Sequence, residues 1–221
     1  MNEISELIDQ CLKESPCEVD IRYNELMSEH TTFKVGGHAD CWLCSGGENF
    51  KSFCITLLNH AHAAGIPVFI LGGGANIVVS DKGIRGIVLD VNRWHGKSTL
   101  YANDDELVLK SGTSIDKASE IALSAGLEGL EFLAGMPGTI GGAVWMNARC
   151  YGKEVADVLS WVEIIEKDRN GYIGKKFEVG KVKGFSYKQS PFQKMDCIII
   201  NTACQLFFVI LIKIFNIGRR H

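Results

Sequence analysis

Two glycine-rich segments carry the strongest chemical signal in this sequence. The first is Leu71-Gly72-Gly73-Gly74-Ala75-Asn76, directly after the apolar run Val68-Phe69-Ile70. The second is Ala134-Gly135-Met136-Pro137-Gly138-Thr139-Ile140-Gly141-Gly142-Ala143. Glycine accepts positive φ and lets a ligand reach the backbone with no Cβ in the way. Successive N–H groups in such turns point into one concavity, which suits an anion. Two of them in one chain predict a long ligand with a diphosphate, held from two sides. Leu71, Gly72, Gly73, Gly74, Ala75 and Asn76 would hold one side, and Pro137, Gly138, Thr139, Gly141, Gly142 and Ala143 the other. The Asn76 amide and the Ser80 hydroxyl are uncharged partners for the same ligand.

Either turn alone could be a tight connection, since glycine is a common turn residue. The first does not open a helix, so it lacks the dinucleotide fingerprint of G-x-G-x-x-G after a strand. No Gly-Lys-Ser/Thr follows, which excludes a P-loop. Cys41 and Cys44 have a C-x-x-C spacing, but no second pair at zinc spacing accompanies them, so no metal site is expected. Small buried residues are the plain reading of the eight cysteines.

Local patterns place the turns on a framework. Ile4, Leu7, Ile8 and Leu12 predict a helix over 3–14, ended by Ser15-Pro16. Thr31–Val35 reads as a strand closed by Gly36-Gly37. Phe50, Phe53, Leu57, Leu58 and Ala61 predict a helix over 48–64, stopped by Gly65. Val68–Leu71, Ile77–Ser80 and Ile87–Asp90 read as strands, the last two separated by the turn sequence Asp81-Lys82-Gly83. Leu107–Lys110 begins a second unit. Ser114 caps a helix with Ile115, Ala118, Ile121 and Ala122 inside and Gly126 at its end. Trp161–Ile165 and Cys197–Ala203 read as strands, and Asp168-Arg169-Asn170-Gly171 as a hairpin turn.

A chain of 221 residues with 46% apolar and 22% charged residues fits a globular protein of one or two domains. A net charge of -3 provides no general field for nucleic acid. Residues 1–14 are polar and amphipathic, unlike a secretory signal, so reduced thiols and a cytoplasmic location are expected. The run Gln205–Phe215 carries one lysine and is too short to span a bilayer.

Three blocks now stand in order: Thr31-Thr32-Phe33-Lys34-Val35-Gly36-Gly37, Ile66–Asn76, and Gly129-Leu130-Glu131-Phe132-Leu133 running through the second turn to Val144-Trp145-Met146-Asn147-Ala148. Together they resemble the UDP-N-acetylenolpyruvoylglucosamine reductase family, over roughly residues 20–204. The resemblance implies a mixed α+β or α/β fold. It is the two-lobe FAD-binding domain of the vanillyl-alcohol oxidase and p-cresol methylhydroxylase type. Residues 1–20 would form an N-terminal helix, 21–95 one lobe, 96–204 the other, and 205–221 an atypical apolar tail. It further implies FAD as cofactor, NADPH as hydride donor and UDP-N-acetylglucosamine enolpyruvate as substrate. The product would be UDP-N-acetylmuramate, a peptidoglycan precursor. A flavin-binding remnant without turnover, or another flavin oxidoreductase of the same fold, are the alternatives.

The same resemblance implies site residues. The family motif Tyr-Arg-x-Ser reads Tyr187-Lys188-Gln189-Ser190 here, so Lys188 stands at the catalytic arginine's position and Tyr187 beside it faces substrate. Lysine keeps the charge but not the planar fork. Tyr151 matches a substrate-facing tyrosine, and Arg149-Cys150 replaces a small Gly-Ala pair. Family members carry a third, C-terminal domain whose serine and glutamate protonate the substrate carbanion, and neither motif is found here. The expectation is a chain cut before that domain by truncation or frameshift. Leu206–Phe215 would then be uncovered, FAD would bind weakly, and no useful turnover would follow.

Overall fold

The computed structural model describes residues 2–94, 99–101, 105–181 and 183–208. Helix α1 (Asn2–Glu14) buries Leu7, Ile8 and Cys11, the residues its helical spacing places on one face. A first sheet combines β1 (Asp20–Leu26), β2 (His38–Cys44), β3 (Val68–Leu71) and β4 (Ile84–Asp90) in the order β1-β2-β4-β3. β1 runs antiparallel to β2, while β2 and β3 run parallel to β4. Helix α2 (Phe50–Ala63) makes the crossover from β2 to β3. It packs Phe50, Phe53, Cys54, Leu57 and Leu58 with α1 and with Cys41, Leu43, Ile87 and Leu89 of the sheet. Trp42, Cys44 and Val88 alternate to the opposite face with Met27, Leu71 and Val79.

The second sheet is antiparallel throughout. Its strands are β5 (Thr99–Tyr101), β6 (Glu106–Lys110), β10 (Leu159–Asp168), β11 (Gly171–Glu178) and β12 (Cys197–Gln205), in the order β11-β10-β12-β6-β5. Between β6 and β10 lie α3 (Ile115–Ser124), β7 (Leu127–Glu128), α4 (Ile140–Met146), β8 (Arg149–Cys150) and β9 (Lys153–Glu154). One face of this sheet carries α3 and α4 over Leu107, Leu109, Val162, Ile164 and Ile199. From the other face Ile165, Tyr172, Ile198 and Ile200 join the cluster around α2. The Asn59 carboxamide of α2 accepts the Tyr172 N–H at 2.8 Å, and Lys51 of α2 pairs with Glu163 of β10. A short ribbon, β13 (Phe207–Phe208), pairs with β7.

Several local readings change. Thr31–Val35 is a loop and not a strand: the Thr31 hydroxyl bonds the Val35 carbonyl at 3.1 Å, and Lys34 takes φ 55°. A chain closed on itself this way has no straight edge to pair. Ile77–Ser80 is also outside any sheet; the Ser80 carbonyl accepts the Gly37 N–H, but no ladder follows. The first unit instead gains β1 and β2, whose residue types alone did not mark them. In the tail, Leu206 is fully buried and donates its N–H to Asp105. Phe207 and Phe208 are exposed. The rest of the predicted apolar tail, 209–221, lies outside the described residues.

Candidate functional site

The first glycine turn springs from the end of β3, where the Val91 N–H bonds the Leu71 carbonyl at 2.8 Å. Gly74 has φ 62°, and a Cβ there would lie 2.0 Å from the His30 carbonyl oxygen. No other residue fits so close to the backbone of the Thr31 loop, which holds the turn by a bond from Thr32 N–H to the Gly74 carbonyl at 3.0 Å. The second turn is lashed to the end of β6: Ile140 N–H bonds Thr113 O and Gly141 N–H bonds Ser111 O. The Thr139 hydroxyl then caps α4 by accepting the Gly142 N–H at 3.3 Å.

These anchors bring the two turns into contact. A Cβ on Gly73 would lie 2.9 Å from Gly138 Cα and 3.5 Å from Thr139 N. A Cβ on Gly72 would lie 2.8 Å from Thr139 Oγ1. Among the described residues, the N–H groups of Gly73, Ala75, Asn76, Gly138 and Thr139 donate to no protein acceptor. Unspent N–H donors in glycine-rich turns are the groups that bind an anion. Asn76, Pro137 and Gly142 are exposed, while Leu71, Gly141 and Ala143 are buried and shape the turns from beneath. Ser80 is exposed, and its carbonyl is tied to Gly37 and Gly83 rather than to the second turn.

Under the first turn sits a polar network that sequence reasoning missed. His30 stacks on Trp42 at 4.7 Å. Its Nε2 lies 2.9 Å from Glu25 Oε1 and its Nδ1 3.9 Å from Asp90 Oδ2. Asp90 ends β4 and is buried, accepting from Trp42 Nε1 at 3.2 Å and from the Asn92 N–H at 2.8 Å. Burial pushes its carboxyl up to about 6 despite these donors. A charged residue closing the apolar run Ile87-Val88-Leu89 was the available signal.

A third component stands at the far end of α4, roughly 10 Å along that helix from the second turn. Asn147 caps α4 in the left-handed region at φ 44° and is fully buried. Its Nδ2 donates to the Ser186 carbonyl at 2.9 Å. Ser190 Oγ and Gln193 Nε2 both donate to the Trp145 carbonyl. These bonds hold a tight turn in which Ser186 and Gln189 bond each other and Lys188 takes φ 55°. Tyr187 is 65% exposed on that turn, with Lys188 Nζ 5.7 Å and the Arg149 guanidinium carbon 5.8 Å from its ring centre. Tyr151 is exposed nearby in sequence, again with positive φ. The arrangement presents cations and phenols to solvent at one end of α4 and free amides at the other.

Cys41 and Cys44 lie buried on β2, and burial pushes their thiols up to about 12 and about 11. Thiols held protonated in this way are poor nucleophiles. No helix among the described residues is long and apolar enough to cross a membrane.

Comparison with known proteins meets this geometry. The FAD-binding domain family matches residues 54–172, a span that contains both glycine turns. The chain belongs to that family. As an FAD-binding domain it is 35% identical over 197 residues to the UDP-N-acetylenolpyruvoylglucosamine reductase of Caldanaerobacter subterraneus subsp. tengcongensis, covering 89% of this chain and 62% of the relative. It is also 35% identical over 189 residues to the same reductase of Clostridium novyi, covering 85% of this chain and 58% of the relative. The chain thus spans less than two thirds of these relatives. Among solved structures, the UDP-N-acetylenolpyruvylglucosamine reductase from Thermus caldophilus superposes with a TM-score of 0.67 at 26% identity, covering 90% of this chain and 66% of that one. A solvent-stable cholesterol oxidase at 14% identity and TM-score 0.62 shares the fold. The two-lobe flavoprotein fold expected from the sequence is the one these neighbours share.

Proposed function

We propose that this FAD-binding domain serves a reductase that converts UDP-N-acetylglucosamine enolpyruvate to UDP-N-acetylmuramate with NADPH, in the cytoplasm, for peptidoglycan precursor synthesis. The observation that carries the reading is the contact of the two glycine turns, whose residues keep unspent N–H groups. Those donors suit the diphosphate of FAD: Gly72 and Gly73 let the two turns pack closely, and Gly138, Ala75, Asn76 and Thr139 offer N–H donors. In this reading residues 21–95 and 96–204 are the two lobes. The similarity to the named reductases supplies the substrate.

FAD, when bound, supplies the hydride chemistry. The chain's own part is to bind, orient and neutralise. When hydride adds to the enolpyruvyl double bond, negative charge moves onto the α-carbon and the carboxylate. Lys188 is the cation assigned to meet that charge, and Tyr151 and Tyr187 are assigned to the substrate beside it. A preorganised positive group stabilises such charge more than it stabilises the neutral double bond, which lowers the barrier.

The test is direct. The purified chain is scanned for bound flavin, then supplied with NADPH and the enolpyruvyl sugar, and the product is weighed for two added hydrogens. Flavin retention is expected, with slow substrate-dependent NADPH oxidation by this chain and a much faster rate when it is fused to a C-terminal domain of the named reductases. A fused protein that retains flavin and yields no reduced sugar would overturn the reductase reading and leave a flavin-binding unit.

A further inference from the structure

Arg149 and Lys188 come from separate segments, yet both reach the ring of Tyr187. The separation is fixed: Asn147 ties the start of β8 to the Ser186 carbonyl at 2.9 Å and takes the Ala156 N–H on its Oδ1 at 3.0 Å. Neither cation has a carboxylate partner among the described residues. Glu154 lies opposite Arg149 in the β8–β9 pair, where a cross-strand ion pair would be natural. Its carboxylate is instead engaged in a capping box with Asp157. Lys153, the next cation along, is consumed by Glu131 at 3.2 Å. Two uncompensated charges therefore stand 5.8 and 5.7 Å from the ring centre of one exposed phenol, and Tyr151, two residues after Arg149, is exposed as well. Both Tyr151 and Lys188 hold positive φ without being glycine, an arrangement that costs energy and recurs at ligand sites.

We propose that Arg149 binds the carboxylate of the substrate together with Lys188, as a two-cation clamp. The inference rests on the reductase reading above and assigns its specificity to a residue outside the Tyr187–Ser190 turn. The chemistry favours Arg149 for the orienting contact. Its planar guanidinium offers two parallel N–H donors to a carboxylate, whereas the Lys188 ammonium offers one compact charge. Arg149 therefore fixes the carboxylate plane, and Lys188 adds a second charge beside the same ring.

Binding separates the outcomes without relying on turnover. Affinity of the flavin-loaded chain is measured for UDP-N-acetylglucosamine enolpyruvate and for UDP-N-acetylglucosamine, which lacks the carboxylate. The wild type should prefer the enolpyruvyl sugar by about tenfold or more, the scale of one charge-assisted contact. Arg149→Gly should remove most of that preference while leaving affinity for UDP-N-acetylglucosamine unchanged. Arg149→Lys should be intermediate, and Arg149→Gly combined with Lys188→Arg should regain the preference to within about threefold, because the fork then returns from the other segment. If Arg149→Gly keeps the full preference while Lys188→Ala loses it, Arg149 is a bystander and the reductase reading survives. If the wild type itself shows no preference for the enolpyruvyl sugar, the reductase reading falls and the clamp with it.

Discussion

Gly73 and Gly138 meet backbone to backbone, so close that a Cβ on the first would lie 2.9 Å from Cα of the second. They sit in different halves of the chain, and the sheet ends that carry them set their approach. The absence of two side chains is what permits it.

Gly73→Ala tests that contact. The nearest atoms are backbone and cannot swing aside, so overpacking should cost about 2 kcal/mol and reduce flavin retained on purification. Gly180→Ala, at an exposed glycine with nothing within 4 Å, is the control and should stay within about 0.5 kcal/mol of wild type. Thermal melts and the flavin-to-protein absorbance ratio give the comparison. Equal flavin retention in Gly73→Ala and wild type would remove the contact from the cofactor cradle.

Asn147 joins α4 to the Tyr187 turn. Asn147→Ala loses two part-buried hydrogen bonds and must hold φ 44° with a side chain that disfavours it. A loss of about 3 kcal/mol is expected in urea unfolding. Asn147→Gly loses the same bonds without the backbone strain and should be milder by about 1 kcal/mol. The reverse ranking would show that the left-handed backbone contributes no strain here.

Asp90 should leave a mark on the pH dependence of folding. Burial raises its folded-state value from 3.8 to about 6. Its stabilising contribution is therefore full below 3.8 and is lost as the pH rises through about 6. Asp90→Asn cannot ionise, so the stability difference should move in the variant's favour by roughly 3 kcal/mol across that window. Denaturant melts of both proteins at matched pH values check it, and a difference that does not change with pH would mean an ordinary carboxyl.

Lys51 and Glu163 pair across the seam between α2 and β10. Burial raises Glu163, and the bonds from Lys51 and Asn201 outweigh it, leaving the carboxyl below its ordinary 4.5. That stabilisation is present above 4.5 and fades as the pH falls through the lowered value. Lys51→Ala should cost about 1 kcal/mol at neutral pH, a modest figure because the lysine is partly solvated. The gap from wild type should close in acid, and a gap that widens there would contradict the pairing.

Local order in the sequence determined α1, α2 and α3, because apolar spacing, the Ser15-Pro16 stop after α1, the Ser114 cap and the glycines Gly65 and Gly126 after α2 and α3 act within a few residues. It also determined the hairpin at Asp168–Gly171 and the presence of two glycine turns. Strands were less legible, since a strand exists only where a partner edge accepts it. Thr31–Val35 and Ile77–Ser80 have strand-like residue types and no ladder, while β1, with its polar alternation, finds β2 and pairs. The site divides in the same way. Glycine content announced two anion turns, but their contact at Gly73 and Gly138 depends on how α2 seats one sheet against the other. Arg149 and Lys188 are far apart in the chain, and His30 and Asp90 equally so. Only the packed structure brings each pair together, because loop closure and strand register, and not residue type, decide which distant side chains share a space.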